Sequence, residues 1–371
     1  MKILILTNYA NGLYLFRKEL LTALQEDGHH IVVSLPPDEN CSKLEQLGVE
    51  ILETPFERRG SNPIKDIGLF LTYLRLIRKQ KPDMVFTYTI KPNIYGGLAC
   101  RINKIPYICN ITGLGTAIEN KGILSDILIW FYKISMKRAD CVFFQNRKNM
   151  DFMFRHGVAR GNGRLLPGSG VNLTEHPFVE YPSEENGINF LAVIRIMKDK
   201  GIEEYLAAAE AIKTKYPNTS FYLVGEYEEE TREKYEPIIQ DLQKKQVIQY
   251  LGHIDDVANV MARSHVIVHP SYHEGLSNVL LEAGACGRPV LASDIHGCVE
   301  TFESRESGIA FPKKSTEALI EAIEKILSFS PEIRKQMGVK GRAWVEKRFD
   351  RKIVIEEYRY ELKAMKWRRV V

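Results

Sequence analysis

The chain opens on a short apolar run, Lys2-Ile3-Leu4-Ile5-Leu6-Thr7, and runs of this kind recur along it with longer segments of helical period between them. In the first half they are Ile31-Val32-Val33-Ser34-Leu35, Glu50-Ile51-Leu52, Met84-Val85-Phe86-Thr87-Tyr88, Tyr107-Ile108-Cys109-Asn110 and Cys141-Val142-Phe143-Phe144-Gln145. Helices are predicted from about Gly12 to Asp27 and from about Pro63 to Lys79. Strands that are apolar throughout, rather than alternating, belong to a parallel sheet covered by helices on both faces. Between Val171 and Asn189 the periodicity gives way to a polar stretch rich in turn formers, which predicts a linker. The alternation restarts with Ile188-Asn189-Phe190-Leu191-Ala192-Val193 and continues through Ser220–Gly225, Val247–Gly252, Val266–His269 and Pro289–Ser293. The expected fold is α/β, with two Rossmann-like, doubly wound domains over residues 1–173 and 187–350 that face one another across a cleft. Ligands of such sheets gather outside the carboxyl ends of the strands, so those ends are where chemistry is sought.

A length of 371 residues suits two domains of common size. No apolar run approaches the ~18 residues of a membrane span, and the opening run is too short and too soon polar for a signal peptide. The expectation is a cytoplasmic protein, at most peripheral to a membrane. Six cysteines lie scattered without C-x-x-C spacing, which indicates neither a zinc knuckle nor a disulfide framework. The net charge of +4 is uneven: residues 1–175 carry 23 Lys and Arg against 16 Asp and Glu, and the remainder 28 against 31. A basic first half suits an anionic membrane surface or a polyprenyl phosphate; no nucleic-acid partner is expected.

The segment richest in chemistry is Glu274-Gly275-Leu276-Ser277-Asn278-Val279-Leu280-Leu281-Glu282, which follows the run Val266-Ile267-Val268-His269-Pro270-Ser271. It reads as strand, loop and a helix starting near Ser277 or Asn278, both good N-caps. Unpaired N–H groups and the positive end of a helix dipole suit a phosphate there. Glu274 would stand in the loop and Glu282 in the helix, each able to accept two hydroxyl hydrogen bonds from a vicinal diol. A buried Glu282 would need a partner of its own.

This segment, with Val193-Ile194-Arg195-Ile196-Met197-Lys198-Asp199-Lys200-Gly201 and the early glycine of Asn8-Tyr9-Ala10-Asn11-Gly12, resembles the retaining GT-B glycosyltransferases of family 4 from end to end. The resemblance implies a nucleotide-sugar donor, Glu282 on the ribose hydroxyls, Glu274 on the transferred sugar, and Gly12 close to the diphosphate or acceptor. It implies a last helix, about 352–371, that returns to the first domain. It also implies base recognition around Leu251-Gly252-His253-Ile254-Asp255-Asp256, with Ile254 at the base and Asp255 as a candidate helix cap; uracil is expected, with guanine as the rival.

Cleavage of the sugar–diphosphate bond requires stabilisation of the departing phosphate oxygen. The sequence has no Asp-x-Asp pair and no H-E-x-x-H, so no metal site and no cofactor are expected. Arg195 and Lys200 offer fixed cations instead, together with the helix start at Leu276, Ser277, Asn278 and Val279. No residue is an obvious nucleophile, and front-face attack is the expected route. In the first half, Tyr88–Gly97 and Asn110–Gly115 lie at strand ends, and Lys91, Thr112, Gly113 and Gly115 are candidate ligands of an acceptor diphosphate. The pattern resembles the bacterial branch that extends polyprenyl-diphosphate sugars, including α-N-acetylgalactosaminyltransferases. Many members carry a histidine near the first of these loops where this chain has Lys91.

Two surfaces are membrane candidates. Gly122–Arg138 is apolar, aromatic and ends in cations, a pattern shared by interfacial helices and by core helices of a Rossmann domain. Arg58, Arg59, Lys65, Arg75, Arg78, Lys79 and Lys81 form a basic stretch suited to lipid headgroups. The expected activity is transfer of a hexose or N-acetylhexosamine from a UDP-sugar to a lipid-linked acceptor at the inner face of the membrane. The alternatives are a soluble acceptor or a sugar-nucleotide 2-epimerase of the same fold.

Overall fold

The computed structural model describes residues 1–57, 62–115, 118 and 122–370. The chain divides into two compact units, Met1–Ser169 with Arg351–Val371, and Gly170–Asp350. In the first, the strands are β1 (Lys2–Leu6), β2 (His30–Leu35), β3 (Glu50–Glu53), β4 (Met84–Tyr88), β5 (Tyr107–Ile111), β6 (Cys141–Phe144) and β7 (Gly163–Leu165). Among the described residues they form a seven-stranded parallel sheet in the order β3-β2-β1-β4-β5-β6-β7. The central strands are buried on both faces, which is why their sequences do not alternate. The helices Ala10–Glu26 and Arg351–Val370 cover one face. The helices Pro63–Gln80, Gly97–Asn103, Ile123–Met136 and Arg147–Arg155 cover the other. The predicted first helix begins two residues earlier than its pattern indicates, at Ala10, so Gly12 lies inside its first turn.

The last helix belongs to this first unit. Its Tyr358 ring packs between Phe86 and Phe143, with centroids 5.4 and 4.7 Å away, and its hydroxyl meets Tyr88 Oη at 2.9 Å and donates to Asn110. Val354, Ile355, Leu362 and Met365 join the same core. Arg351 adds a mostly buried ion pair to Glu19 at 2.6 Å.

The second unit contains β8 (Ile188–Val193), β9 (Thr219–Val224), β10 (Ile248–Tyr250), β11 (Val266–His269), β12 (Val290–Ser293) and β13 (Gly308–Phe311). Its described strands make a six-stranded parallel sheet in the order β10-β9-β8-β11-β12-β13. Both sheets reverse strand order once, beside β1 in the first and β8 in the second, which is the doubly wound pattern. The polar stretch after Val171 has the turns expected of a linker, yet it is strapped to the second unit. Arg288 donates to the carbonyls of Val179 and Glu180 at 3.0 Å each, Arg342 to that of His176 at 3.0 Å, and Arg334 to the Glu184 carboxylate at 2.7 Å through Nε. Three guanidiniums thus satisfy a segment that lacks ladder partners.

No helix among the described residues is long and apolar enough to cross a membrane. All six cysteines are free thiols.

The helix Pro331–Phe349 packs behind Asn278–Ala285 and the turn that follows it, and at that turn the approach is close enough to require glycine. A Cβ on Gly338 would stand 2.1 Å from the Gly287 carbonyl oxygen, a backbone atom with no rotamer to escape by. Gly338→Ala is therefore expected to destabilise the second unit by roughly 1–3 kcal/mol, read as a lower urea midpoint with unchanged far-ultraviolet dichroism in the native baseline.

Candidate functional site

Parallel strand β11 delivers His269 to its carboxyl end, and the chain then turns through Pro270–Leu276 into the helix Asn278–Ala285. Ser277 is the N-cap: its Oγ accepts from Leu280 N–H at 3.4 Å, and its own N–H donates to the Gly297 carbonyl at 2.7 Å. Asn278, the other candidate for the cap, is the first helical residue, and its Oδ1 is buried with no hydrogen-bond partner. Leu276 and Leu281 face a small core with Val345 and Phe349, while Val279 packs beside Leu280 and Ala283.

Lys200 reaches this turn because the loop after β8 docks on it. A short 3-10 turn, Lys198–Lys200, ends at Gly201 with φ +72°, and a Cβ there would lie 2.2 Å from the Pro270 carbonyl oxygen. Only glycine suits both the left-handed backbone and that contact. Tyr272 N–H donates to the Asp199 carbonyl at 2.9 Å and completes the docking. Lys200 Nζ then lies 2.5 Å from Glu274 Oε1, with the two side chains 18% and 15% exposed.

His269 closes the cluster. Its Nε2 is 3.0 Å from Glu274 Oε1 and 3.2 Å from Ser277 Oγ, while its Nδ1 is buried without a partner. Burial alone would push the Glu274 carboxyl up; the His269 hydrogen bond and charge, and then the Lys200 ammonium, outweigh it and hold the carboxyl well below its ordinary range. A carboxylate so placed stays ionised and keeps lone pairs for a hydroxylated ligand. His269 was not anticipated from the sequence, although a polar residue ending the apolar run Val266-Ile267-Val268 at a strand's carboxyl end was a visible signal.

The structure brings together Lys200, Glu274 and Ser277, but Arg195 stands apart from them. Its guanidinium is half exposed and pairs with Glu228. Glu282 lies in the second turn of the helix, largely buried, with Oε2 4.0 Å from His176 Nε2, so its near neighbour comes from the strapped segment. Ile254 packs against the core beneath β11 and β12. The cap of the following helix, Val257–Arg263, is Asp256 and not Asp255: its Oδ1 accepts from Asn259 N–H at 3.1 Å. Among the described residues there is no group of three or more His, Cys, Asp or Glu side chains arranged to hold a metal ion.

In the first unit, Lys91 does not present a free ammonium. It forms a mostly buried ion pair with Asp66 at 2.8 Å, and the Tyr95 hydroxyl donates to the other oxygen of Asp66 at 3.0 Å. Two residues earlier Thr89 has φ +72°, a strained conformation for a β-branched residue, with a buried hydroxyl that has no partner. Thr112 and Gly113 follow β5 partly buried, and Gly115 is exposed with φ +73°. The strand ends beneath these loops are tied by a polar network: Thr87 donates to Asn93 Oδ1 at 2.6 Å, and Asn93 to the Asn110 carbonyl at 2.9 Å. Gly12 lies in the first turn of the helix Ala10–Glu26, where a Cβ would meet the Tyr9 ring at 3.0 Å.

Comparison with known proteins accords with this layout. A family model described as glycosyl transferases group 1 matches residues 175–344, and one described as glycosyl transferase 4-like matches residues 2–146. The chain is 27% identical over 376 residues to N,N'-diacetylbacillosaminyl-diphospho-undecaprenol alpha-1,3-N-acetylgalactosaminyltransferase of Campylobacter jejuni, covering 96% of this chain and 97% of that protein. It is 24% identical over 281 residues to UDP-Gal:alpha-D-GlcNAc-diphosphoundecaprenol alpha-1,3-galactosyltransferase of Escherichia coli, covering 72% of each. Among solved structures, Anabaena Alr3699/HepE in complex with UDP superposes with a TM-score of 0.81 at 18% identity, over 98% of this chain and all of that one. These structures share the two-domain GT-B fold.

The Lys200–Glu274 pair has a signed pH dependence. Because the folded carboxyl is depressed below its ordinary 4.5, its contribution to stability is complete above that value and is lost as pH falls below it. Lys200→Met is expected to lose about 3 kcal/mol at neutral pH, with the deficit relative to wild type shrinking as denaturation is followed from pH 6 down to about pH 3. An equal deficit at both ends would contradict the assignment.

Proposed function

The chain belongs to the group 1 glycosyl transferases, and from that premise we propose that it moves a hexose or N-acetylhexosamine from a UDP-sugar to a saccharide carried on a polyprenyl diphosphate, with retention at the anomeric carbon. The observation that carries the reading is the ionised Glu274 held by Lys200 and His269 directly before a capped helix start. That arrangement supplies a hydroxyl acceptor, a cation and unpaired backbone N–H groups within one turn of chain, which are the requirements of a sugar joined to a diphosphate. The polyprenyl acceptor and the uridine donor rest on the relatives: two whose names carry an undecaprenyl diphosphate cover most of this chain, and the Escherichia coli one is named for UDP-Gal. With such an acceptor the protein works as a peripheral protein at the inner face of the cytoplasmic membrane.

In the proposed reaction the bond from the anomeric carbon to the β-phosphate oxygen breaks, and a bond from that carbon to the acceptor hydroxyl oxygen forms on the same face. The hydroxyl proton passes to the departing phosphate oxygen, so the protein need supply no base. Lys200, Arg195 released from Glu228, and the helix start at Ser277–Val279 stabilise the charge that accumulates on UDP. Glu274 orients the sugar and Glu282 the ribose; no divalent ion takes part.

The test is transfer from radiolabelled UDP- and GDP-sugars into polyprenyl-diphosphate-linked saccharide, with EDTA present. Label is expected from a UDP-sugar at an unchanged rate in EDTA, and Lys200→Ala and Arg195→Ala are each expected to lower kcat roughly 100- to 1,000-fold. Near-normal turnover in either variant would remove that residue from leaving-group stabilisation, and conversion of UDP-GlcNAc without acceptor would turn the assignment to an isomerase.

A further inference from the structure

Two helices of the first unit carry apolar rows that no described residue covers. On Pro63–Gln80 the row is Ile64, Ile67 and Leu71, with exposures of 82%, 60% and 38%. On Ile123–Met136 it is Ile123, Leu124, Ile127 and Trp130, at 81%, 50%, 46% and 56%. The spacing of three and four residues puts each row on one helical face. The opposite faces are the ones the core uses: Leu69, Tyr73 and Ile77 on the first helix, and Ile129, Tyr132 and Met136 on the second. These sequences therefore serve a core and a second surface at once.

The two rows lie on one side of the sheet, flanking the π turn Pro92–Gly96, which packs against both helices. Each helix runs back along a parallel sheet to begin the next strand, so its N-terminal half lies at the carboxyl edge of that sheet. That is the edge holding Lys91 after β4 and Thr112 after β5. Each apolar row extends about 10 Å along its helix, close to the depth to which interfacial helices enter the headgroup–acyl boundary.

Beyond the apolar rows, toward their C-termini, both helices turn cationic. Arg75, Arg78 and Lys79 are exposed on the first, and Lys133, Lys137 and Arg138 on or just after the second. The only acids within the two helices are Asp66, already tied to Lys91 and Tyr95, and Asp126. Of the basic stretch read from the sequence, Arg58 and Arg59 lie outside the described residues, and Lys65 is paired with Glu57.

We propose that the exposed faces of the helices Pro63–Gln80 and Ile123–Met136 are the surface by which this chain docks on an anionic lipid bilayer, apolar rows inserted and cations at the phosphate level. The inference rests on the lipid-linked acceptor proposed above and specifies where the protein meets the lipid. A bilayer is favoured over a second protein because the two rows, borne on separate helices, repeat one order of apolar then cationic residues. A flat apolar layer beneath anionic headgroups is complementary to both rows together. Seated so, the strand ends with Lys91 and Thr112 stand at the membrane surface, where a polyprenyl diphosphate presents its headgroup.

The experiment is co-sedimentation of the full chain with vesicles of phosphatidylcholine alone and of phosphatidylcholine mixed with phosphatidylglycerol. Wild type is expected to bind the anionic vesicles preferentially, and salt to weaken the binding. Ile127→Asn with Trp130→Ser should lower the partition coefficient at least about tenfold, and Lys137→Glu with Arg138→Glu should lower it only on anionic vesicles. Both variants should melt like wild type, because every substituted side chain is exposed. Each should also keep its turnover on a short-chain, water-soluble acceptor while losing it on long-chain acceptor in vesicles. Wild-type partition retained by the Ile127/Trp130 variant, or no binding by wild type, overturns the surface; a wild-type dimer that the same variant dissociates assigns the face to a second copy. Vesicle binding without transfer to any acceptor would instead overturn the enzymatic reading and leave the surface standing.

Discussion

A carboxylate kept ionised away from water is the constraint around which the second unit's strand ends are organised. Glu274 is 15% exposed, and a charge so placed is tolerated only with partners of opposite sign or with donors. Both partners come from positions that the fold must hold accurately. Lys200 needs the loop after β8 to press against Pro270, which Gly201 allows. His269 needs β11 to end where it does, and Ser277 needs the helix to begin beside the same ring nitrogen, Nε2. The local sequence from Lys198 to Gly201 and from His269 to Ser277 is thus one electrostatic unit assembled from two distant segments.

The alternation of apolar runs and helical segments made both sheets legible, because parallel strands buried on two faces have a pattern little else produces. A helix start at Ser277 or Asn278 was readable from local capping chemistry, while the choice between the two was not. Contacts between segments far apart in sequence were not. Nothing in the run from Val193 to Gly201 says that Lys200 folds onto Glu274 while Arg195 turns to Glu228, since side-chain direction in a loop is set by tertiary docking. The Lys91–Asp66 ion pair was hidden for a related reason: Asp66 lies on a separate helix, and a lysine at a strand end gives no sign of that partner until the helix is placed. Asp255 and Asp256 are adjacent and chemically alike, so only backbone geometry chooses the cap.

The helix Ile123–Met136 shows why a pattern can support two readings together. Its composition fits an interfacial helix and a core helix alike, and the structure gives it both a buried face and an exposed apolar one. A helix that is apolar all round is ordinarily enclosed. Here no described residue encloses one side, and the cations that follow it suit that side to an anionic surface.

Tyr358 has a consequence for how the chain is made. It fills the space between Phe86 and Phe143 and bonds to Tyr88 and Asn110, yet it is translated after the whole of Gly170–Asp350. During synthesis the second unit has all its strands while the first still lacks a wall of its core. Domains otherwise tend to complete from the N-terminus as they emerge; in this chain the earliest-made unit is the last to close, and its buried tyrosine and asparagine wait on the final helix.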